Sequence, residues 1–403
     1  MTRANLTDAC TPPLDKLLLF TPGPVNVSDN VREAIAREDI CHREVEFEQL
    51  FRRVEAQLLQ LFEIRETQHY QAVVITGSGS AANESMLASV VGDQNILVVS
   101  NGEFGERLHA TSEIHNSNTF LLKFAWGAAL DLDVIDDYLR DHPIDVIAVA
   151  HHETSSGMLN PLAALGSLAK THNAILLVDC VSSAGAEAID MERDNIAFCS
   201  ASSSKAIGSY AGLSFVIGNR DEFEKLAALP AKTAYLNLYK FFQFATQRSQ
   251  TPNTPAVPLF YALDKALANI LIETVAARRA KILRTATRLR SGMTRLGLTY
   301  LLETDEMCSV LTTVHLPPHL NIDQLRHSLR EQSIIIYEGK GPLTGRVFQV
   351  GNIGELSKVD IERFLQALAA TLKGMRLPAV PNVDDPPPVS PTLGTFTPTA
   401  APV

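Results

Sequence analysis

The sequence predicts an α/β protein: a large domain on a mostly parallel sheet with helices on its faces, then a smaller C-terminal α+β domain. Three observations carry that expectation. Apolar runs of strand length alternate with helix-period segments from about Ala72 to Gly218. A long helical stretch rich in Ala and Arg, Pro258 to Leu296, then leads out of that region. A shorter set of strand and helix signals follows it, ahead of a proline-rich tail.

The first apolar run, Ala72 to Ile75, precedes Gly77-Ser78-Gly79-Ser80, and a helical stretch opens near Ala81. Backbone N–H groups of such a turn, together with a helix N-terminus, suit a phosphate. Next come Ile96 to Val99, Val146 to Ala150, Ala174 to Val178, Ile196 to Cys199 and Leu213 to Ile217. Ligands of parallel sheets collect outside the carboxyl ends of the strands. Thr76, Ser100, His151, Asp179 and Ser200 lie at such ends and should converge. In the second domain, strands are expected at Val310 to His315, Ser333 to Tyr337 and Arg346 to Val350, with helices near Ile322 to Gln332 and Lys358 to Leu372. The resulting division is an N-terminal segment 1–28, a large domain 29–265, a small domain with its linking helix 266–376, and a tail 377–403. That tail has too few periodic apolar positions to offset its chain entropy and is expected to be flexible.

Composition narrows the class. With 403 residues, 46% of them hydrophobic, the chain can bury a large core. A net charge of −10 argues against a nucleic-acid partner, which needs a basic footprint. Cys10, Cys41, Cys180, Cys199 and Cys308 are odd in number and show neither paired nor metal-ligand spacing, so a reducing, cytoplasmic setting and no metal are expected. No apolar stretch is long enough to span a membrane, and the start lacks the apolar core of a signal peptide.

The chemistry gathers on two residues. Asp179 follows the apolar run Ala174 to Val178, and Lys205 closes Ser200-Ala201-Ser202-Ser203-Ser204. An acid that can hold a pyridinium proton, followed one strand later by a lysine in a small-residue turn, is what a pyridoxal 5'-phosphate (PLP) enzyme requires. The carboxylate keeps the ring nitrogen protonated, and the lysine carries the cofactor and then moves a proton at the substrate's Cα.

Six motifs extend the argument: Thr21-Pro22-Gly23-Pro24, Gly77-Ser78-Gly79-Ser80, Asn101-Gly102-Glu103-Phe104-Gly105-Glu106-Arg107, His152-Glu153-Thr154-Ser155-Ser156-Gly157, Val178-Asp179 and Ser204-Lys205. On these, from about Leu17 to about Leu372, the chain resembles the class V (fold type I) PLP-dependent aminotransferases. The stretches His151 to Pro161 and Val350 to Glu355 look most like 2-aminoethylphosphonate–pyruvate transaminases, whereas Cys41 to Phe47 looks more like the alanine–glyoxylate and serine–glyoxylate group. The resemblance implies a fold type I transferase with Lys205 and Asp179 catalytic. It also implies a phosphate seat from Gly79, Ser80, Ala81 and Ser204, a ring platform at Phe104, a partner for the phenolic oxygen at Thr154, and packing by Val181. Thr251 and Thr254 match the segment that such enzymes lend to a neighbouring subunit, so a homodimer with shared sites is expected.

One departure bears on the substrate. Relatives end the strand near residue 350 with Arg-x-Gly, and that arginine grips the substrate's anion. This chain has Gln349-Val350-Gly351. Arg346 is three positions back and therefore on the other face of a strand. Arg43 and Lys340 are the replacement candidates, and Gly23 completes the expected substrate contacts. The reading is a transaminase moving an amino group from a 2-aminoethylphosphonate-like or alanine/serine-like amine to a 2-oxo acid such as pyruvate or glyoxylate. A PLP-dependent lyase or cyclase in a specialised biosynthetic pathway remains the alternative.

Overall fold

A computed structural model describes residues 16–90 and 92–375; the tail 377–403 lies outside them. In chain order, the first part comprises β1 (Leu18–Leu19), α1 (Asp29–Ala34), α2 (Val45–Leu61), β2 (Tyr70–Thr76), α3 (Gly79–Val90), β3 (Ile96–Ser100), α4 (Glu103–His115), β4 (Thr119–Lys123) and α5 (Leu132–Asp141). Next come β5 (Val146–Ala150), β6 (His152–Glu153), β7 (Met158–Leu159), α6 (Leu162–Thr171), β8 (Ile175–Asp179), β9 (Ile196–Ser202), β10 (Leu213–Asn219), α7 (Arg220–Lys225), α8 (Leu238–Arg248) and α9 (Val257–Glu273). The last part holds α10 (Val275–Arg295), β11 (Leu311–His315), α11 (Ile322–Glu331), β12 (Ile334–Ile335), β13 (Tyr337–Glu338), β14 (Val347–Gly351) and α12 (Lys358–Gly374).

Seven strands form the central sheet in the order β2-β10-β9-β8-β5-β3-β4, and only β10 runs antiparallel to its neighbours. Five of the six apolar runs read from the sequence fall within strands of this sheet, and the sixth, Ala174 to Val178, lies in β8 apart from Ala174. Its central members are apolar without alternation because both faces are covered: Leu176, Leu177 and Val178 of β8 are fully buried. β4 was not foreseen. It is an edge strand, Thr-Phe-Leu-Leu-Lys, with no fully buried position, so it lacks the signature of a core run. β9 also runs on past the expected end at Cys199 to Ser202, which leaves Lys205 three residues beyond the strand.

The stretch Pro258 to Leu296 is two helices, broken at Thr274, whose φ of +72° ends α9 and whose hydroxyl accepts from the Ala277 N–H to start α10. Residues Ala266, Leu267 and Ile270 of α9 belong to the core around the central sheet. The linking element is therefore α10. The expected strand Ser333 to Tyr337 is likewise two short ones. β12 pairs in parallel with β1, and β13 pairs antiparallel with β14.

The pairing with β1 has a consequence for the site. Leu18 and Phe20 sit in the core of the small domain, where Phe20 stacks on Phe364 at 4.4 Å. Gly351 N–H then donates to Phe20 O at 2.9 Å. The chain leaving β1 is thus held on the small domain as it carries Pro22 and Gly23 to the end of the large sheet.

Candidate active site

The carboxyl ends of β8 and β9 bring Asp179 and Lys205 together. Asp179 closes β8, and its Oδ1 accepts from the Val181 N–H at 2.8 Å while Oδ2 accepts from Asn83 Nδ2 at 2.7 Å. Asn83 is oriented in turn by the hydroxyl of Ser200, which donates to its side-chain oxygen. Burial pushes the Asp179 carboxyl up, and these two donors together with the charges of Arg107 and Lys205 oppose that shift. Asn83 and Ser200 were not anticipated as a pair. Asn83 lies mid-helix, where sequence alone gives no sign that it faces an acid 96 residues away.

Lys205 lies in the turn after β9. Its Nζ donates to Pro22 O at 3.0 Å. Burial depresses its proton affinity, Asp179 opposes the shift, and Lys340 and Arg107 reinforce it. That favours the free amine a nucleophile needs. Gly23, at φ +139°, lies against the lysine stem: a Cβ there would sit 2.6 Å from Lys205 Cδ. Glycine is required by both the backbone and the close approach.

The remaining expected positions lie around this pair. Gly79 opens α3, and a Cβ on it would meet both methyls of Val181 at 2.7 Å. Ser80 Oγ accepts from Arg107 Nη2 at 3.2 Å. Ala81 N–H, in contrast, is turned onto Ser78 O at 2.8 Å. Phe104 joins Gly79, Ser80, Asn83, Arg107, Asp179 and Val181 around one cleft. Ser204 Oγ is 3.1 Å from Ser202 Oγ. Thr251 is buried with its hydroxyl on Asn253 O at 2.8 Å, and Thr254 is exposed.

Glu153 explains how Phe104 is placed. This buried carboxylate accepts from the N–H groups of Phe104 (3.0 Å), Gly105 (3.1 Å) and Ser155 (3.1 Å), and from Ser155 Oγ (2.5 Å). Two of those donors are orphan N–H groups in the first turn of α4, where a negative charge is favoured. Burial pushes the Glu153 carboxyl up, and all four donors oppose it. Its motif was visible in the sequence. Its task was not, because the contact spans 48 residues.

Two of the expected substrate contacts are engaged within the chain. Gln349 is buried, and its Nε2 donates to Thr154 O at 2.7 Å and Ser155 O at 3.1 Å. Arg43 donates to Gln250 Oε1 (3.0 Å), Thr251 O (2.7 Å) and Pro252 O (3.0 Å), so it clamps the 250–252 segment. Thr313 and Tyr337 flank Gln349 across the small sheet, and Tyr337 OH donates to Gly23 O at 3.3 Å.

The family model described as aminotransferase class-V matches residues 27–348. The chain belongs to that family. This aminotransferase is 31% identical over 366 residues to a 2-aminoethylphosphonate–pyruvate transaminase of Phocaeicola vulgatus, covering 88% of this chain and 99% of that one. It is 32% identical to the enzyme of the same name from Vibrio cholerae, covering 87% and 96%. Among solved structures, an alanine–glyoxylate aminotransferase from Nostoc sp. superposes with a TM-score of 0.84 at 26% identity, covering 89% and 97%. A ureidoglycine–glyoxylate aminotransferase from Bacillus subtilis shares the fold, with a TM-score of 0.85 at 24% identity and coverage of 92% and 96%. The aminotransferase is PLP-dependent and acts on an amine and a keto acid. Its residues fit the cofactor: a glycine-floored helix N-terminus beside Ser80, an aromatic face and a buried acid line one cleft, and the half-buried Lys205, its proton affinity lowered, lies close to that acid. Among the described residues, no helix is long and apolar enough to cross a membrane.

Proposed function

We propose that this aminotransferase moves the amino group of 2-aminoethylphosphonate, or of a small amino acid such as alanine or serine, to pyruvate or glyoxylate. The observation that supports the donor most is the similarity to 2-aminoethylphosphonate–pyruvate transaminases along 88% of the chain. Bound PLP supplies an electron sink for negative charge developing at the substrate's Cα. Lys205 Nζ would hold the cofactor and, as a free amine, would take the proton from the substrate's Cα. Asp179, aimed by Asn83 and the Val181 N–H, would hold the ring nitrogen's proton. Phe104 orients the ring by its face, while the N-terminus of α3 and Ser80 hold the phosphate.

We place the enzyme in the cytoplasm, as a homodimer in which Thr251 and Thr254 reach the partner's phosphate. Cys41, Cys180, Cys199 and Cys308 are free thiols, in keeping with a reducing compartment. A second reading, a lyase or cyclase on the same cofactor, draws on the neutral Gln349 where relatives use arginine. The test is a half-reaction. PLP-loaded enzyme is mixed with each candidate amine without acceptor, and loss of the visible cofactor band is followed, then its return on adding pyruvate or glyoxylate. Return of the band with 2-aminoethylphosphonate and pyruvate supports the proposal. A band that collapses irreversibly with release of a fragment would favour the lyase reading.

A further inference from the structure

The neutral Gln349 leaves open which group meets the anionic end of the donor. The Gln349 amide hydrogens are spent on Thr154 O and Ser155 O, so toward a ligand it offers an acceptor, which does not bind an anion. The Arg43 guanidinium is spent on three oxygens of the 250–252 segment. Two other cations act on the Lys205 ammonium, Arg107 and Lys340. Arg107 lies with Ser80, Asn83 and Asp179, on the side that takes the phosphate and the ring nitrogen.

Lys340 reaches the Phe104 ring, over which Arg107 also lies at 5.2 Å, from the small domain. Its Nζ is 3.1 Å from Glu103 Oε2, 3.5 Å from Glu103 Oε1 and 5.6 Å from the centre of the Phe104 ring. The ion pair is close but poorly aligned, because Oε2 is buried and takes no hydrogen bond of good geometry. A pair of this kind, with Lys340 nearly half exposed, is worth little and is easily exchanged. The loop carrying Lys340 is nonetheless firmly seated. Gly341, at φ +49°, packs against Trp126, where a Cβ would fall 2.7 Å from the indole. The Trp126 Nε1 donates to Glu106 Oε1 on α4 at 2.7 Å. Lys340 is therefore a cation delivered by the small domain above the ring platform and held there by a carboxylate that another anion can replace.

We propose that Lys340 recognises the substrate's carboxylate or phosphonate, with Glu103 holding the ammonium until that anion takes it. The donor is then an amine bearing a compact anion. This rests on the aminotransferase reading above, and the experiment separates the two.

Wild-type, Lys340→Met, Lys340→Arg and Glu103→Gln proteins, all PLP-loaded, are assayed with 2-aminoethylphosphonate, alanine and the uncharged comparator propylamine. Each is also titrated with methylphosphonate while the emission of Trp126, the only tryptophan of the chain, is recorded. That titration reads anion binding without turnover. Lys340→Met is expected to raise KM for the anionic amines about 10- to 100-fold, with a smaller change in kcat, and to abolish the Trp126 response. Lys340→Arg should retain both, and Glu103→Gln should bind methylphosphonate several-fold more tightly. An unchanged KM and an unchanged Trp126 titration in Lys340→Met would overturn the inference. Wild-type enzyme that binds methylphosphonate through Lys340 but transfers no amino group would overturn the proposed function instead.

Discussion

Replacing Glu153 with glutamine tests how the ring platform is held. The substitution keeps the side chain's volume and removes its charge. In the native site each carboxylate oxygen faces donors: Oε1 takes Ser155 N–H and Oγ, and Oε2 takes the Phe104 and Gly105 N–H groups. A glutamine must turn its NH2 toward one of these pairs. Turned toward α4, it leaves two backbone donors unsatisfied; turned toward Ser155, it leaves one backbone N–H, since the hydroxyl can rotate. A buried donor left unpaired costs about 1–3 kcal/mol, and loss of the negative charge at a helix N-terminus adds about 0.3–1 kcal/mol. The glutamine therefore settles on the Ser155 side, for a loss of about 1–4 kcal/mol, a sizeable share of a typical 5–15 kcal/mol stability. Urea titration followed by Trp126, which is hydrogen-bonded to α4 through Glu106, measures the loss where it should occur. PLP affinity should fall with it, because Phe104 lies in the first turn of α4. A midpoint within about 0.3 M of wild type and an unchanged PLP affinity would refute the role given to Glu153.

Three further predictions test the surroundings of the pair. Burial pushes the pKa values of His151 and His152 down to about 3, so below 6.5 the unfolded chain binds protons that the native one does not. Stability should fall with pH from about 6.5 toward 3, by about 1.4 kcal/mol per unit for each imidazole. Asn replacements should flatten that slope in urea titrations, and an unchanged slope would count against it. Asn83→Leu removes a donor from Asp179 and strands the Ser200 hydroxyl. We expect weaker PLP retention and a shifted cofactor absorbance, measured by dialysis and spectroscopy, whereas native retention and spectrum would make Asn83 dispensable. Gln349→Leu strips the donor from two backbone carbonyls and should cost about 1–3 kcal/mol in urea titrations; undiminished stability with a large rise in KM would restore Gln349 as a substrate contact.

Most of the large domain was legible because its strands are buried on both faces and leave uninterrupted apolar runs. What escaped has specific physical causes. β4 lies at an edge and is half wet, so its residues obey no core pattern. Ser333 to Tyr337 reads as one strand because a split between two sheets leaves each half too short for its own periodicity. The antiparallel sense of β10 has no local signature at all. Within the site, Asp179 and Lys205 were visible because a strand end and a small-residue turn mark them. Asn83, Glu153 and the pairing of Lys340 with Glu103 were hidden, since each acts through a partner tens to hundreds of residues away.

The central claim is that Lys205 carries the cofactor opposite Asp179, and one measurement reaches it directly. PLP-loaded protein is reduced with borohydride, digested, and mapped by mass spectrometry for the lysine that bears the cofactor. The account predicts modification on the peptide containing Lys205, at about one per chain, and none on that peptide in Lys205→Ala. Modification of a different lysine in the native protein, with amino transfer intact, would contradict it.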